Sequence, residues 1–286
     1  MSHLSFRTSG LSSEQRRRWR PKDASPAVTA GAPLTTKFLS GLALGAAVVY
    51  ATSALGPTTL DDFGNPQDSR LIPGAFQGET IAVLYMLNLE GYSFASPEAV
   101  LERLGFAIER WDNPPPPEEL SDVLEDASQL WVISSQRQRL SDEHLAVISD
   151  FFDDGGGLLL WGDNEPFYQD ANFVADALIG AGMEGDSPGD LIVQQQTQAA
   201  GAGFLPHPIM RDINNFYEGV TIATIDDSPD LEPLVFGSAG NVVVAVYNRR
   251  GKRAILDGGF TRLFQTTETA GTERYIQNAA AWLALN

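Results

Sequence analysis

Short apolar runs alternate with segments of helical period along most of this chain. Ile81 to Met86 is an uninterrupted apolar run of strand length. Ser96-Pro97-Glu98 supplies a cap residue, a proline suited to the first helical position and an acid for the first turn. Val100, Leu101 and Leu104 share one face of that helix, and Gly105 ends it. Phe106 to Trp111 reads as a second strand. After four consecutive prolines, Glu118 to Ala127 reads as a helix and Leu130 to Ile133 as a third strand. Ser141 caps the next helix, whose apolar face is Leu145, Ile148, Phe151 and Phe152. GGGLLLW, Gly155 to Trp161, is then a glycine-led buried strand. Gly162-Asp163-Asn164 makes a sharp turn toward a helix over Asn172 to Ile179.

Residues 183–240 are less regular. Gln194 to Gly203 is a small, polar loop. His207 to Met210 and Gly219 to Ile222 have the composition of short strands. Val242 to Tyr247 and Ala254 to Leu256 flank Asn248-Arg249-Arg250-Gly251-Lys252, a hairpin with glycine in its turn. Thr272 to Leu285 closes the chain as a helix with Ile276, Ala279, Ala280 and Leu283 toward the core. Strand and helix alternating through residues 81–180 predict an α/β fold: a doubly wound, mostly parallel sheet, with the hairpin adding antiparallel strands. Ligands of such sheets gather at the carboxyl ends of the strands. That rule selects Asn88, Glu90, Asp112, Ser134, Ser135, Asp163, Asn164 and Asp257 as a candidate rim.

The segment before residue 80 is different. Residues 1–37 are rich in Ser, Pro and Arg, include Arg16-Arg17-Arg18-Trp19-Arg20, and have no apolar period, which predicts disorder. Residues 38–55 are free of charge, the length of a short membrane span. Basic residues precede them and Asp61-Asp62 follow. The positive-inside rule then expects a single-pass anchor with the body outside the cytoplasm. Thr52-Ser53-Ala54 leaves open a cleaved signal and a secreted or periplasmic body. An ordinary helix in a soluble protein is the third reading. Residues 56–79, with Pro, Gly and Asp, read as a linker, and 80–286 as one domain.

Composition narrows the chemistry. There is no cysteine, which excludes disulfides, thiolate zinc sites and a thiol nucleophile. Beyond residue 56 the chain has 12 basic and 35 acidic residues, a net charge of −23. An acidic body with no basic patch argues against nucleic acid as a partner. No P-loop, G-x-G-x-x-G or HExxH occurs, so no cofactor or metal is expected. Mean hydropathy of −0.12 fits a water-soluble body.

Asp163, Asn164 and Glu165 offer oxygen ligands to a cation or a sugar, while Asp163 or Asn164 is equally suited to capping the following helix. His207 is either a base or a turn residue packed on Pro208. His144 is expected to be solvated. Asn88, Glu90, Ser134 and Asp257 complete the candidate ligand-binding set, with Asp257-Gly258-Gly259 also readable as a strand-end turn.

The order of strands, GGGLLLWGD, the His207-Pro208-Ile209 turn and the ending VVVAVYNRRGKRAILDGG, followed by Arg262-Leu263-Phe264 and ERYIQNAAAWLA, resemble the class I glutamine-amidotransferase-like superfamily, especially its trehalose-utilisation-protein-like branch. The resemblance spans residues 80–286 and implies a flavodoxin-like, amidotransferase-like fold. Catalytic members carry Cys at the nucleophile elbow with a His–acid pair. Aligning the glycines puts Gly162 at the Cys position, so the triad does not carry over. The expectation is therefore a non-catalytic binding or scaffold domain held at a membrane by residues 38–55 and displayed outside the cytoplasm, with a small molecule or protein as partner. Two alternatives stand beside it: a hydrolase of a sugar or amide using carboxylates at the Asp163–Glu165 turn, and an accessory subunit of a membrane transport or assembly complex.

Overall fold

The apolar runs become the middle strands of one eight-stranded sheet in a computed structural model of the chain. The structure describes residues 59–67, 71–87, 89–267 and 269–285. In chain order the first half contains β1 (Thr80–Tyr85), α1 (Ala95–Arg103), β2 (Ala107–Trp111), α2 (Pro117–Leu124), β3 (Ala127–Ile133), α3 (Asp142–Asp153), β4 (Gly157–Trp161) and α4 (Gln169–Ile179). The second half contains β5 (Met183–Pro188), β6 (Ile192–Gln194), β7 (Gly203–Phe204), β8 (Asn215–Tyr217), β9 (Thr221–Ile225), β10 (Leu231–Phe236), β11 (Val242–Arg249), β12 (Lys252–Asp257), α5 (Arg262–Gln265) and α6 (Thr272–Ala284).

The sheet order is β2-β1-β3-β4-β12-β11-β10-β7. The first five strands are parallel and the last three antiparallel. The parallel part has the flavodoxin-like order, so the fold is a doubly wound α/β sheet with an antiparallel extension. Two short pairs, β5 with β9 and β6 with β8, lie outside the main sheet. Side chains alternate between two cores. Val83, Trp131, Leu159 and Ile255 join one with residues of α1 and α6, and Leu84, Leu130, Leu160 and Leu256 join the other with α2, α3 and α4. Burial on both faces explains why these strands read as continuous apolar runs.

Several boundaries differ from the sequence reading: α1 starts at Ala95, ahead of the expected Ser96 cap, α2 ends at Leu124 and not Ala127, and α4 starts at Gln169 and not Asn172. β3 begins at Ala127, because Gln129 is buried in the strand with both ends of its amide satisfied: Trp131 Nε1 donates to it and it donates to the Ala280 carbonyl. Pro208–Met210 is a 3₁₀ turn rather than a strand, since His207 Nδ1 accepts the Ile209 N–H and proline fixes the next φ. The strand expected at Gly219 starts at Thr221. His144, expected in solvent, is buried; its ring bonds Ser141 and the Pro115 carbonyl.

The stretch read as a linker contributes packed residues. Leu71 and Phe76 are buried, Phe76 stacks on Phe106 at 4.5 Å, and the Asn65 amide accepts the N–H groups of Asn214 and Asn215. Among the described residues no helix is long and apolar enough to cross a membrane. The expected anchor at 38–55, and the basic segment before it, lie outside the described residues.

Candidate functional site

Gly162 continues the backbone ladder beyond β4: its N–H bonds the Asp257 carbonyl at 2.8 Å, and its own carbonyl accepts the Phe260 N–H at 3.0 Å. The glycine is required for space, not for a left-handed φ. A Cβ there would lie 2.7 Å from Met183 Sδ and 2.7 Å from Tyr168 Cβ. The turn is thus walled in at Gly162.

Asp163 follows at 0% exposure. One carboxylate oxygen accepts the Asn164 N–H and the other the Thr261 N–H, each at 2.8 Å. Burial pushes its pKa up to about 7, against the pull of those two amides and of Arg262. Neither Asp163 nor Asn164 caps the following helix, which starts only at Gln169 after Tyr168. The cap comes from another strand: Ser134, at the end of β3, accepts the Ala171 N–H at 2.6 Å through Oγ, satisfying an orphan amide of α4. Asp170, beside it, accepts the N–H groups of Arg139 and Leu140 and ties the β3–α3 loop to α4.

On the neighbouring strand Asp257 is equally buried, and Arg262 Nη1 bonds both of its oxygens. The Tyr275 hydroxyl donates to Asp257 Oδ2 at 2.7 Å and the Gly259 N–H to Oδ1 at 3.0 Å. Arg262 also donates from Nε to the Tyr217 carbonyl and from Nη2 to the Glu218 carbonyl. Its guanidinium lies 4.9 Å from the Phe216 ring centroid and 5.8 Å from that of Tyr275. Burial, with the adjacent Asp257 charge, raises the Tyr275 pKa well above the ordinary tyrosine value. Glu218, like Asp170, is a further carboxylate at 0% exposure; it accepts from the Leu191 N–H, the Ser238 N–H and the Ser238 hydroxyl. Asp163, Asp257 and Glu218 are therefore each bonded from inside the protein, whereas Asp170 Oδ2 is buried with no hydrogen-bond partner among the described residues.

The structure brings Ser134, Asp163 and Asp257 to the carboxyl ends of three neighbouring strands. It leaves the others apart. Glu90 and Glu165 are exposed, and Asn164 is half-buried with its amide on the Glu165 carbonyl. Asn88 lies outside the described residues. His207 packs against Trp282, ring centroids 5.3 Å apart, and burial lowers its pKa to about 4. None of Asp163, Asp257, Arg262 or Tyr275 lines either of two grooves, of about 260 and 520 Å³, found elsewhere on the described body. No group of three His, Asp or Glu side chains placed to hold a metal ion occurs among the described residues.

Several solved structures have a similar backbone arrangement. A cytoplasmic protein of Salmonella typhimurium LT2 matches with a TM-score of 0.47 and 12% identity, over 72% of this chain and 97% of that one. A protein described as ThuA-like from Bacteroides uniformis ATCC 8492 matches at 0.48 and 12%, over 72% and 91%. A GMP synthase-type protein from Thermoplasma acidophilum matches at 0.44 and 12%, over 72% and 96%. No family model matches the chain, and no curated protein matches it in sequence.

Sequence reasoning missed Glu218, Arg262 and Tyr275. Arg262 and Tyr275 stand in the ending that carries the family resemblance, three and sixteen residues past Gly259, and a buried acid at Asp257 demands a cation within reach. Glu218 had only its aromatic neighbours Phe216 and Tyr217 to mark it.

Proposed function

We propose that the chain is a non-catalytic, amidotransferase-like binding or scaffold domain, held at a membrane by residues 38–55 and displayed outside the cytoplasm. One observation carries the non-catalytic part. At the strand ends where an elbow would expose its nucleophile, Gly162 is packed against Met183 and Tyr168, and Asp163 and Asp257 are spent on protein donors. The anchor rests on the uncharged stretch and its flanking charges alone.

The raised pKa of Asp163 favours a second reading, a hydrolase of a sugar or amide, because a carboxyl protonated near neutrality suits a general acid. That reading needs a second carboxylate facing the same substrate, and Glu165 faces solvent. The test is turnover by purified full-length protein in detergent with glutamine, p-nitrophenyl acetate and p-nitrophenyl glycosides. We expect no turnover above that of an Asp163→Asn variant. A kcat/KM of about 10⁴ M⁻¹ s⁻¹ or more on any of them, lost in that variant, refutes the proposal.

A further inference from the structure

The larger groove, about 520 Å³, lies at the opposite, amino-terminal edge of the sheet, where β3 and β4 begin and α2, α3 and α6 end. Leu124, Val147, Phe151 and Leu283 give it an apolar floor. Glu125, Asp150 and Asp154 stand exposed along it, and none of the three makes an ion pair among the described residues. The glycines that lead into β4 form a wall without side chains. Gly155 has φ +99°, and a Cβ on Gly156 would lie 2.2 Å from the Phe151 ring, so a larger residue would displace the floor itself.

The electrostatics have one sign. The carbonyl ends of helices carry partial negative charge, which cations in the last turn normally offset. The last turns of α2 and α3 contain no basic residue and are followed by Glu125 and Asp154. Cations approach only from outside: Lys252 pairs with Asp153, and Arg253 covers the carbonyls of Trp282 and Leu285 at the end of α6. Neither lines the groove. An apolar floor inside a rim of exposed acids that no cation lines suits a ligand that pairs an apolar ring with positive charge.

We infer that this groove docks a basic segment of a partner protein carrying an aromatic side chain, the ring on Leu124 and Phe151 and its cationic neighbours toward Glu125, Asp150 and Asp154. The inference rests on the reading of the domain as a binding module and names its partner's chemistry. The probe is a fluorescent pentapeptide of one tryptophan between pairs of arginines, titrated into full-length protein in detergent and followed by anisotropy. We expect saturable binding that weakens about tenfold or more in the Glu125→Lys/Asp154→Lys variant, and when alanine replaces the probe's tryptophan. It should weaken also between 50 and 500 mM NaCl. Both substitutions are at exposed positions, and an unchanged circular dichroism spectrum and melt establish that the variant is folded. No saturable binding, or binding equal in wild type and variant, overturns the inference. So does binding that appears only after protease removes residues 1–37, which would mean that the chain's own Arg16–Arg20 segment fills the groove. Hydrolytic turnover would defeat the non-catalytic reading without touching this titration, so the two failures are distinguishable.

Discussion

Asp163 decides most at the scale of single residues. Its folded pKa of about 7 lies above the ordinary carboxyl value of 3.8. Folding then takes up a proton, so the stability that Asp163 contributes is fully present below about pH 4 and is lost as pH rises toward 7. Asp163→Asn removes that dependence. Its amide also turns an N–H toward the Thr261 or Asn164 N–H, which leaves a buried donor unmet. Urea unfolding should therefore show wild type more stable than the variant at pH 5. The difference should shrink by about 1–3 kcal/mol by pH 8. A difference that is flat or grows with pH contradicts the assignment. Gly162→Ala is expected to cost about 1–3 kcal/mol, because the new methyl meets Tyr168 Cβ beside the main chain. For a body of this size that is a drop of roughly 2–10 °C in the thermal midpoint. A variant as stable as the parent would mean that the turn is not packed as described.

Ser134 shows how elements are joined. α4 takes its N-terminal hydrogen bond from the end of β3, so strand and helix are fixed to each other by one hydroxyl. Ser134→Ala should lower stability by about 0.5–2 kcal/mol in a urea titration, and Ser134→Thr less. Equal stability of the alanine variant would show that the amide finds another acceptor. The same join explains what the sequence makes legible. Parallel strands announce themselves because β1, β3 and β4 are buried on both faces, and the hairpin of β11 and β12 because its turn has Arg250 and Gly251 at positive φ. Caps supplied from another strand have no local pattern, so Asp163 and Asn164 look like the natural caps of α4 by spacing alone. The boundary of β3 is obscured for a related reason: Gln129 interrupts the apolar run, and its partner Ala280 stands far along the chain. Asp163 and Asp257 are legible as strand-end acids, whereas Glu218 sits in a loop and Arg262 opens the short helix α5, and the contacts of both are set only by the closed fold.

At the scale of the whole molecule, charge and anchoring carry the account. Residues 38–55 should keep the full-length protein in membranes washed with carbonate at high pH, and protease added outside should release the acidic body. Recovery of intact protein in the soluble cytosolic fraction contradicts the anchor. The central claim concerns the carboxyl edge: that it is a filled core and not a vacant site. Arg262 tests it most directly, because its one guanidinium joins Asp257 to the carbonyls of Tyr217 and Glu218 under two aromatic rings. In Arg262→Met the Asp257 charge stays buried without its partner, which typically costs about 3–5 kcal/mol. The decisive measurement is the thermal midpoint of full-length Arg262→Met against wild type. A fall of roughly 6 °C or more is the predicted result. A midpoint that is unchanged or raised would contradict the account, since relief on removing a charged group marks a site that gives up stability for function.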